Sequence, residues 1–125
     1  MPKVSKTSAA QVDERGPGKE WHAELDGYKA SFVSVSADVD LSELLRGLPG
    51  DRCDCPHWGY VLKGRMWFRF GDREESYEAG DAFHAPGGHT SGADAGSDFL
   101  VFSPTELITA VEAHMMQRAQ QLQST

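Results

Sequence analysis

Short strand-like segments separated by two-residue turns fill the middle of the chain, and they limit the folds that it can adopt. The turns fall at Lys63-Gly64 and Gly71-Asp72, and pairs of this kind are typical of tight antiparallel hairpins. Strands this short, with turns this regular, indicate a sandwich or a barrel. The predicted strands are residues 58–62, 65–70, 73–78, 82–85 and 99–102, with a strand-like stretch before them over 21–36 and a loop over 91–98.

The strand predicted over residues 65–70 has one face suited to burial. Met66, Phe68 and Phe70 alternate with two arginines and a tryptophan, and this period of two puts the apolar side chains on one face of a sheet. We expect the arginines to face away from that interior. The sequence shows no cluster of arginine and lysine beside it, which disfavours phosphorylated substrates.

A helix is predicted on each side of the central strands. The run Asp40-Leu41-Ser42-Glu43 is typical of a capping box and predicts a short helix. After the last strand, Ser103 and Pro104 are typical of a helix N-terminus and predict a C-terminal helix over residues 104–120. Its apolar stripe fits either the outside of its own barrel or a second subunit, and it consists of Leu107, Ile108, Val111 and Met115.

Size and charge narrow the classes of partner. The 125 residues suffice for one compact domain, which we assign to residues 21–125 behind a flexible tail over 1–20. A net charge of -7 argues against nucleic acid and against anionic membranes, because either would select a basic face. The sequence contains neither a membrane-spanning apolar run nor a secretory signal, so we expect a cytoplasmic protein with reduced cysteines.

Two stretches resemble the motifs of the cupin superfamily: HWGYVLKGRMWFRFG (residues 57–71) and EAGDAFHAPGGH (residues 78–89). The resemblance implies an all-β, double-stranded β-helix (a jelly-roll β-barrel), frequently a homodimer, that commonly holds a divalent metal ion at its centre. The usual ligands match only in part, since His57 stands where these motifs have a glutamate. His89 comes two residues earlier than the usual second-motif histidine.

The residues at that place offer a different set of metal donors. Cys53, Cys55 and His57 stand at every second position, so an extended segment would direct all three side chains from one face, and His89 would complete the set from across the barrel. Two thiolates and two imidazoles favour a tetrahedral, fairly soft ion, so we expect zinc, with nickel, iron and manganese as alternatives. Alternatively, the cysteines are small buried residues and His57 is a hydrogen-bonded core imidazole.

A small apolar pocket is expected beside the metal, and its predicted lining is Met66, Phe68, Phe70 and His84. The alternative is a barrel filled by its own side chains. No catalytic residue can be identified. We therefore expect a small cupin that binds a divalent metal and a small organic ligand, either as a metal-dependent enzyme or as a non-catalytic binding or sensing module. A third reading is a barrel with a closed structural zinc site, because four protein ligands would leave no position for water or substrate.

Overall fold

Two antiparallel sheets and a C-terminal helix make up the computed structural model, which describes residues 3–123. The strands of the larger sheet lie in the order β1 (Gln11–Arg15), β2 (Gly18–Leu25), β3 (Tyr28–Val35), β10 (Asp98–Pro104), β5 (His57–Lys63) and β8 (Ala82–Ala85). The smaller sheet has the order β4 (Val39–Asp40), β9 (Thr90–Ala93), β6 (Arg65–Phe70) and β7 (Arg73–Glu78). The helical segments are α1 (Ser42–Leu45), a 3-10 turn (Pro49–Asp51) and α2 (Thr105–Gln123).

The predicted turns position the central strands. Strands β6, β7 and β8 occupy the predicted ranges, and β5 and β10 extend the predicted ones. Gly64 and Gly71 have φ angles of 78° and 64°, a region that glycine enters without steric cost. β6 pairs with β7 from Arg65 opposite Glu78 to Phe70 opposite Arg73. The hairpin predicted at Gly71-Asp72 is therefore confirmed, whereas the turn at Lys63-Gly64 leads from β5 in the larger sheet to β6 in the smaller one, so the hairpin predicted there was wrong.

Strand β9 lies where the sequence predicted a loop. Its residues are small and carry no apolar alternation, yet it pairs with both β4 and β6. Gly92 lies beneath the indole of Trp67, and a Cβ atom at this glycine would lie 2.6 Å from Cε2 of that ring. Because Gly92 has no side chain, the indole of Trp67 can pack directly on β9. This pairing depends on tertiary contacts, which a periodicity in the sequence cannot reveal.

The N-terminal strands extend the larger sheet to its edge. The strand-like stretch over 21–36 contains most of β2 and all of β3. Residues 11–15, inside the predicted tail, form β1, which pairs with β2 from Gln11 opposite His22 to Arg15 opposite Gly18. The side chains of this edge strand are mostly exposed, so it has no apolar period to signal it. The division into a tail over 1–20 and one domain over 21–125 stays a prediction.

Apolar side chains collect in two clusters. The first lies between the sheets and consists of Val35, Val61, Met66, Phe68, Phe83, Ala85 and Ala93. The second lies beside the helices and consists of Leu45, Cys53, Cys55, Ile108 and Val111. Ile108, Val111 and Met115 of the α2 stripe therefore pack on their own chain, while Leu107 remains 48% exposed. Within residues 3–123, no helix is long and apolar enough to cross a membrane.

The two helices begin differently from each other. The Asp40 carboxylate accepts hydrogen bonds from the N–H and the hydroxyl of Ser42, at 2.9 and 2.6 Å, and so stabilises the start of α1. Helix α2 begins at Thr105, because Ser103 and Pro104 belong to β10. The prediction of Ser103 as a helix cap was wrong: its hydroxyl contacts His57 instead.

Candidate metal centre

Three side chains with metal-binding donor atoms meet where the two apolar clusters adjoin. The donor atoms of Cys53, His57 and His89 all lie within 4.8 Å of one another. We call these three residues the thiol–imidazole centre. Cys53 belongs to the cluster beside the helices, while the ring of His89 contacts that of Phe68, in the cluster between the sheets, at 4.9 Å between centroids. The structure thus brings together three of the four residues predicted as ligands.

Backbone pairing holds Cys53 and His89 opposite each other. The Cys53 N–H donates to the His89 carbonyl at 2.8 Å, and the His89 N–H donates to the Cys53 carbonyl at 3.1 Å. Gly87 makes this approach sterically feasible, because a Cβ atom there would lie 2.8 Å from the carbonyl carbon of Asp54. His57 starts strand β5, which pairs with β8 and thereby fixes the third side chain to the barrel wall.

The Nε2 atom of His89 is a buried nitrogen without a partner. Nδ1 of His89 lies 2.8 Å from the carbonyl oxygen of Pro86. Because a carbonyl oxygen can only accept a hydrogen bond, Nδ1 carries the ring proton. Nε2 therefore presents a lone pair. Within residues 3–123 it has no hydrogen-bond partner, and the residue is only 1% exposed. Leaving a buried polar atom unpaired costs about 1–3 kcal/mol, so this nitrogen points to a missing group.

The imidazole of His57 is oriented from the opposite side by a serine. Its Nδ1 lies 2.7 Å from the hydroxyl oxygen of Ser103, and its Nε2 lies 3.8 Å from Sγ of Cys53. Ser103 is buried, so this contact is shielded from water. A partner on one ring nitrogen typically orients a metal-binding histidine through the other. Sequence reasoning missed this role, because 46 residues separate the two side chains.

Burial keeps the thiol–imidazole centre uncharged in the metal-free protein. It lowers the pKa of His57 to about 3, with the neighbouring His89 as a second cause. It also lowers the pKa of His89 and raises the pKa of the Cys53 thiol. At neutral pH both imidazoles therefore offer unprotonated nitrogen, while a metal ion would have to displace the thiol proton.

The lowered pKa of His57 predicts acid sensitivity of the metal-free protein. Because the pKa of His57 is about 3 in the folded protein and that of an ordinary histidine is 6.5, the unfolded chain binds more protons between these pH values. The free energy of unfolding should therefore fall as the pH drops below 6.5, by up to about 1.4 kcal/mol per pH unit for this proton.

This sensitivity can be measured by urea unfolding at several pH values between 6.5 and 4 after dialysis against a chelator. His57→Gln should reduce the slope by up to one proton. Equal slopes in the wild type and in His57→Gln would contradict the prediction.

Cys55 lies apart from the three donor atoms. Its Sγ is 3.5 Å from the Pro56 carbonyl, and its side chain packs in the cluster beside the helices. Burial raises the pKa of this thiol to about 12. Residues 54–56 do not form a strand, and Sγ of Cys53 contacts the Cys55 carbonyl at 3.8 Å. The alternation expected of an extended segment therefore does not hold here.

The residues predicted to line a pocket have three different environments. Phe68 and Phe70 lie against the ring of His89, at 4.9 and 5.8 Å between centroids. Met66 packs in the cluster between the sheets. His84 is exposed on the outside of β8 and stacks on the indole of Trp58 at 4.8 Å. A pocket role for these residues stays a prediction.

A second group of metal-type side chains lies on the β1–β2 hairpin. The donor atoms of Asp13, Glu20 and His22 also lie within 4.8 Å of one another. Here, however, His22 Nε2 contacts the Asp13 carboxylate at 2.8 Å, and Lys29 pairs with Glu20 at 3.2 Å. These pairings account for the group without an ion.

Comparison with known proteins identifies the fold. No protein-family model and no curated protein matches the chain. Among solved structures, the polyketide cyclase RemF from Streptomyces resistomycificus is 20% identical, with 83% of this chain and 79% of that chain covered and a TM-score of 0.56. An RmlC-like cupin from Shewanella frigidimarina is 17% identical, with 83% and 92% covered and a TM-score of 0.54. KdgF from Halomonas sp. is 16% identical, with 83% and 94% covered and a TM-score of 0.54.

These structures share an architecture with the chain at low sequence identity, so the likeness concerns the fold. It agrees with the resemblance of residues 57–71 and 78–89 to cupin motifs. The chain therefore has the fold of the cupin superfamily, a double-stranded β-helix of two antiparallel sheets with a C-terminal helix.

Proposed function

We propose that this cupin-fold protein binds one divalent metal ion through Cys53, His57 and His89, next to a small organic ligand. The observation that carries the proposal is Nε2 of His89, which is buried without a partner within residues 3–123 and lies among the other two donor atoms. A bound ion would give this nitrogen its missing partner. Metal sites are common in cupins, but the donor atoms of the thiol–imidazole centre differ from the usual cupin ligands.

Zinc is the ion that the donor chemistry favours. One thiolate and two imidazoles suit a borderline-soft, tetrahedral ion, and nickel and iron are weaker alternatives. Manganese prefers oxygen donors, which the centre lacks. Three protein donors leave one tetrahedral position for water or a ligand, so a bound ion would supply Lewis-acid chemistry. Cys55 stays outside the proposed set because its sulfur is not among the grouped atoms.

A structural zinc site is the alternative, and one observation favours it. Phe68 and Phe70 pack against His89, so apolar rings occupy the space beside the centre. Cobalt substitution distinguishes the two readings, because cobalt reports its coordination through its visible spectrum. Added azide should change the spectrum if one position is open to solutes, and should leave it unchanged if the apolar rings keep anions away from the ion.

Metal content tests the proposal itself. Protein purified without a metal-affinity step, then dialysed against zinc and freed of excess ion, should hold close to one zinc per chain by mass spectrometry. The ion should resist gel filtration but leave on treatment with a strong chelator. Protein that retains no metal under these conditions would contradict the proposal.

The proposal includes a homodimer in the reducing environment of the cytoplasm. Four large side chains on the outside of the larger sheet remain 39–47% exposed in the single chain, and a second subunit would cover them: Tyr28, Trp58, Tyr60 and Leu62. Both cysteines are free thiols, which suits a reducing compartment. Light scattering during gel filtration would measure the expected doubled mass.

A further inference from the structure

A cleft of about 310 Å³ opens at the end of the barrel, between α1, the 3-10 turn and strands β6 and β9. Its volume is at the lower end of the range for small-molecule sites. The charged residues of its lining are Glu43, Arg46, Asp51, Arg52 and Arg69. We call this cavity the arginine cleft.

Residues that line the arginine cleft are direct sequence neighbours of residues in or beside the thiol–imidazole centre. Arg52 in its wall directly precedes Cys53, and Thr90 directly follows His89. Gly71, also in the wall, follows Phe70, whose ring lies 5.8 Å from that of His89. Consecutive residues are about 3.8 Å apart, so three separate segments carry both the wall of the cleft and the surroundings of the centre.

The carboxylates of the cleft are already engaged by the protein. Glu43 contacts Arg46 at 3.3 Å and Arg118 at 3.4 Å. The Asp51 carboxylate accepts a hydrogen bond from the Gly47 N–H at 2.9 Å. Neither carboxylate is therefore directed at a cation that enters the cleft.

The arginines of the cleft differ in their partners. Arg69 pairs with Glu74 at 3.0 Å, outside the lining, and Arg46 pairs with Glu43. Among residues 3–123, by contrast, no carboxylate lies within 4.0 Å of the Arg52 guanidinium. This side chain extends toward the β6–β7 turn, where its Nη2 would lie 3.6 Å from a Cβ atom at Gly71. The arginine cleft thus presents one guanidinium without a carboxylate partner, in a chain whose net charge is -7.

We infer that the arginine cleft binds a small organic monocarboxylate and that Arg52 is the residue that recognises it. A guanidinium presents two parallel N–H donors that match the two oxygens of a carboxylate. Arg52 is the one arginine of the lining that has no carboxylate partner among residues 3–123, and a single unpaired guanidinium matches one carboxylate better than a phosphate dianion. This site is separate from the proposed metal site, because the lining of the arginine cleft contains no residue of the thiol–imidazole centre.

Titration of the zinc-loaded full chain with benzoate tests the inference, with benzamide as the uncharged probe of the same shape. Benzoate should cause saturable shifts of the Gly71 and Thr90 amide signals in nitrogen–proton NMR spectra at constant ionic strength, and benzamide should not. Arg52→Gln should weaken benzoate binding by about tenfold or more, the range for a hydrogen bond to a charged group. Arg73→Gln is the matched control, because its guanidinium lies over Phe70 and outside the lining.

Zinc content separates this inference from the proposed function. If zinc binds in the wild type and in Arg52→Gln, while benzoate binds neither or both equally, the inference fails and the metal site stands. If no zinc binds, the proposed function fails, whereas benzoate binding that is weakened in Arg52→Gln would still support the inference. Equal shifts with benzoate and benzamide would also overturn the assignment of a carboxylate.

Discussion

Cys53→Ala should lose stoichiometric zinc binding, whereas Cys55→Ala should bind zinc as the wild type does. The two substitutions remove the same atom from two buried thiols that are separated by one residue. Of these two sulfur atoms, only Sγ of Cys53 lies within 4.8 Å of the donor atoms of His57 and His89. Loss of an outer contact to a metal ligand typically costs about 10–100-fold in affinity, so loss of the ligand itself should exceed about 100-fold.

Competition with a coloured chelator would measure both affinities, and circular dichroism would show that both variants are folded at the temperature of the measurement. Because both cysteines are buried, each substitution leaves a small cavity of similar size. The pair therefore separates a loss of ligation from a loss of packing. If the two variants lost zinc to the same extent, the proposed assignment of the sulfur donor would be wrong.

Gly87→Ala should both destabilise the protein and weaken zinc binding. The added methyl group would overlap the carbonyl oxygen of Asp54 and lie 2.8 Å from its carbon. These atoms are backbone, so relief requires a shift of the segment that carries Cys53 relative to the one that carries His89. Overpacking of this kind typically lowers the free energy of unfolding by about 1–3 kcal/mol.

Gly18→Ala is the matched control for this substitution. A Cβ atom there would meet only the Arg15 carbonyl oxygen, at an ordinary contact distance of 3.5 Å. Urea unfolding and chelator competition on both variants should show losses of stability and of zinc affinity in Gly87→Ala alone. A Gly87→Ala protein with wild-type stability would show that the two segments approach less closely than described.

Much of the fold follows from local signals in the sequence. The turns at Gly64 and Gly71 and the alternation of β6 predict β6 and β7 over their observed ranges and most of β5, although β5 and β6 lie in different sheets and do not form the predicted hairpin. Strand β9 escapes prediction because its small residues are paired and covered by distant elements, Trp67 among them. Ser103 shows the opposite failure: a good local helix-capping pattern is overridden by a contact with His57 across the fold.

The sequence predicts which residue types supply the donors of the candidate centre, but not how the segment around Cys55 is shaped. The spacing of Cys53 and His57 and the histidine of the second motif indicate three donors that the structure groups. Counting Cys55 with them assumes a straight strand, and residues 54–56 do not form one. The arginine cleft could not be predicted from linear clustering, because its cations come from the residue after α1, from the segment after the 3-10 turn and from β6.

X-ray absorption at the zinc edge tests the donor set most directly. The zinc-loaded protein should show one sulfur at about 2.3 Å and the remaining nitrogen or oxygen donors at about 2.0–2.1 Å, with the scattering pattern of imidazole. Cys55→Ala should give the same spectrum. Two sulfurs in the wild type, or none, would contradict a centre built from Cys53, His57 and His89.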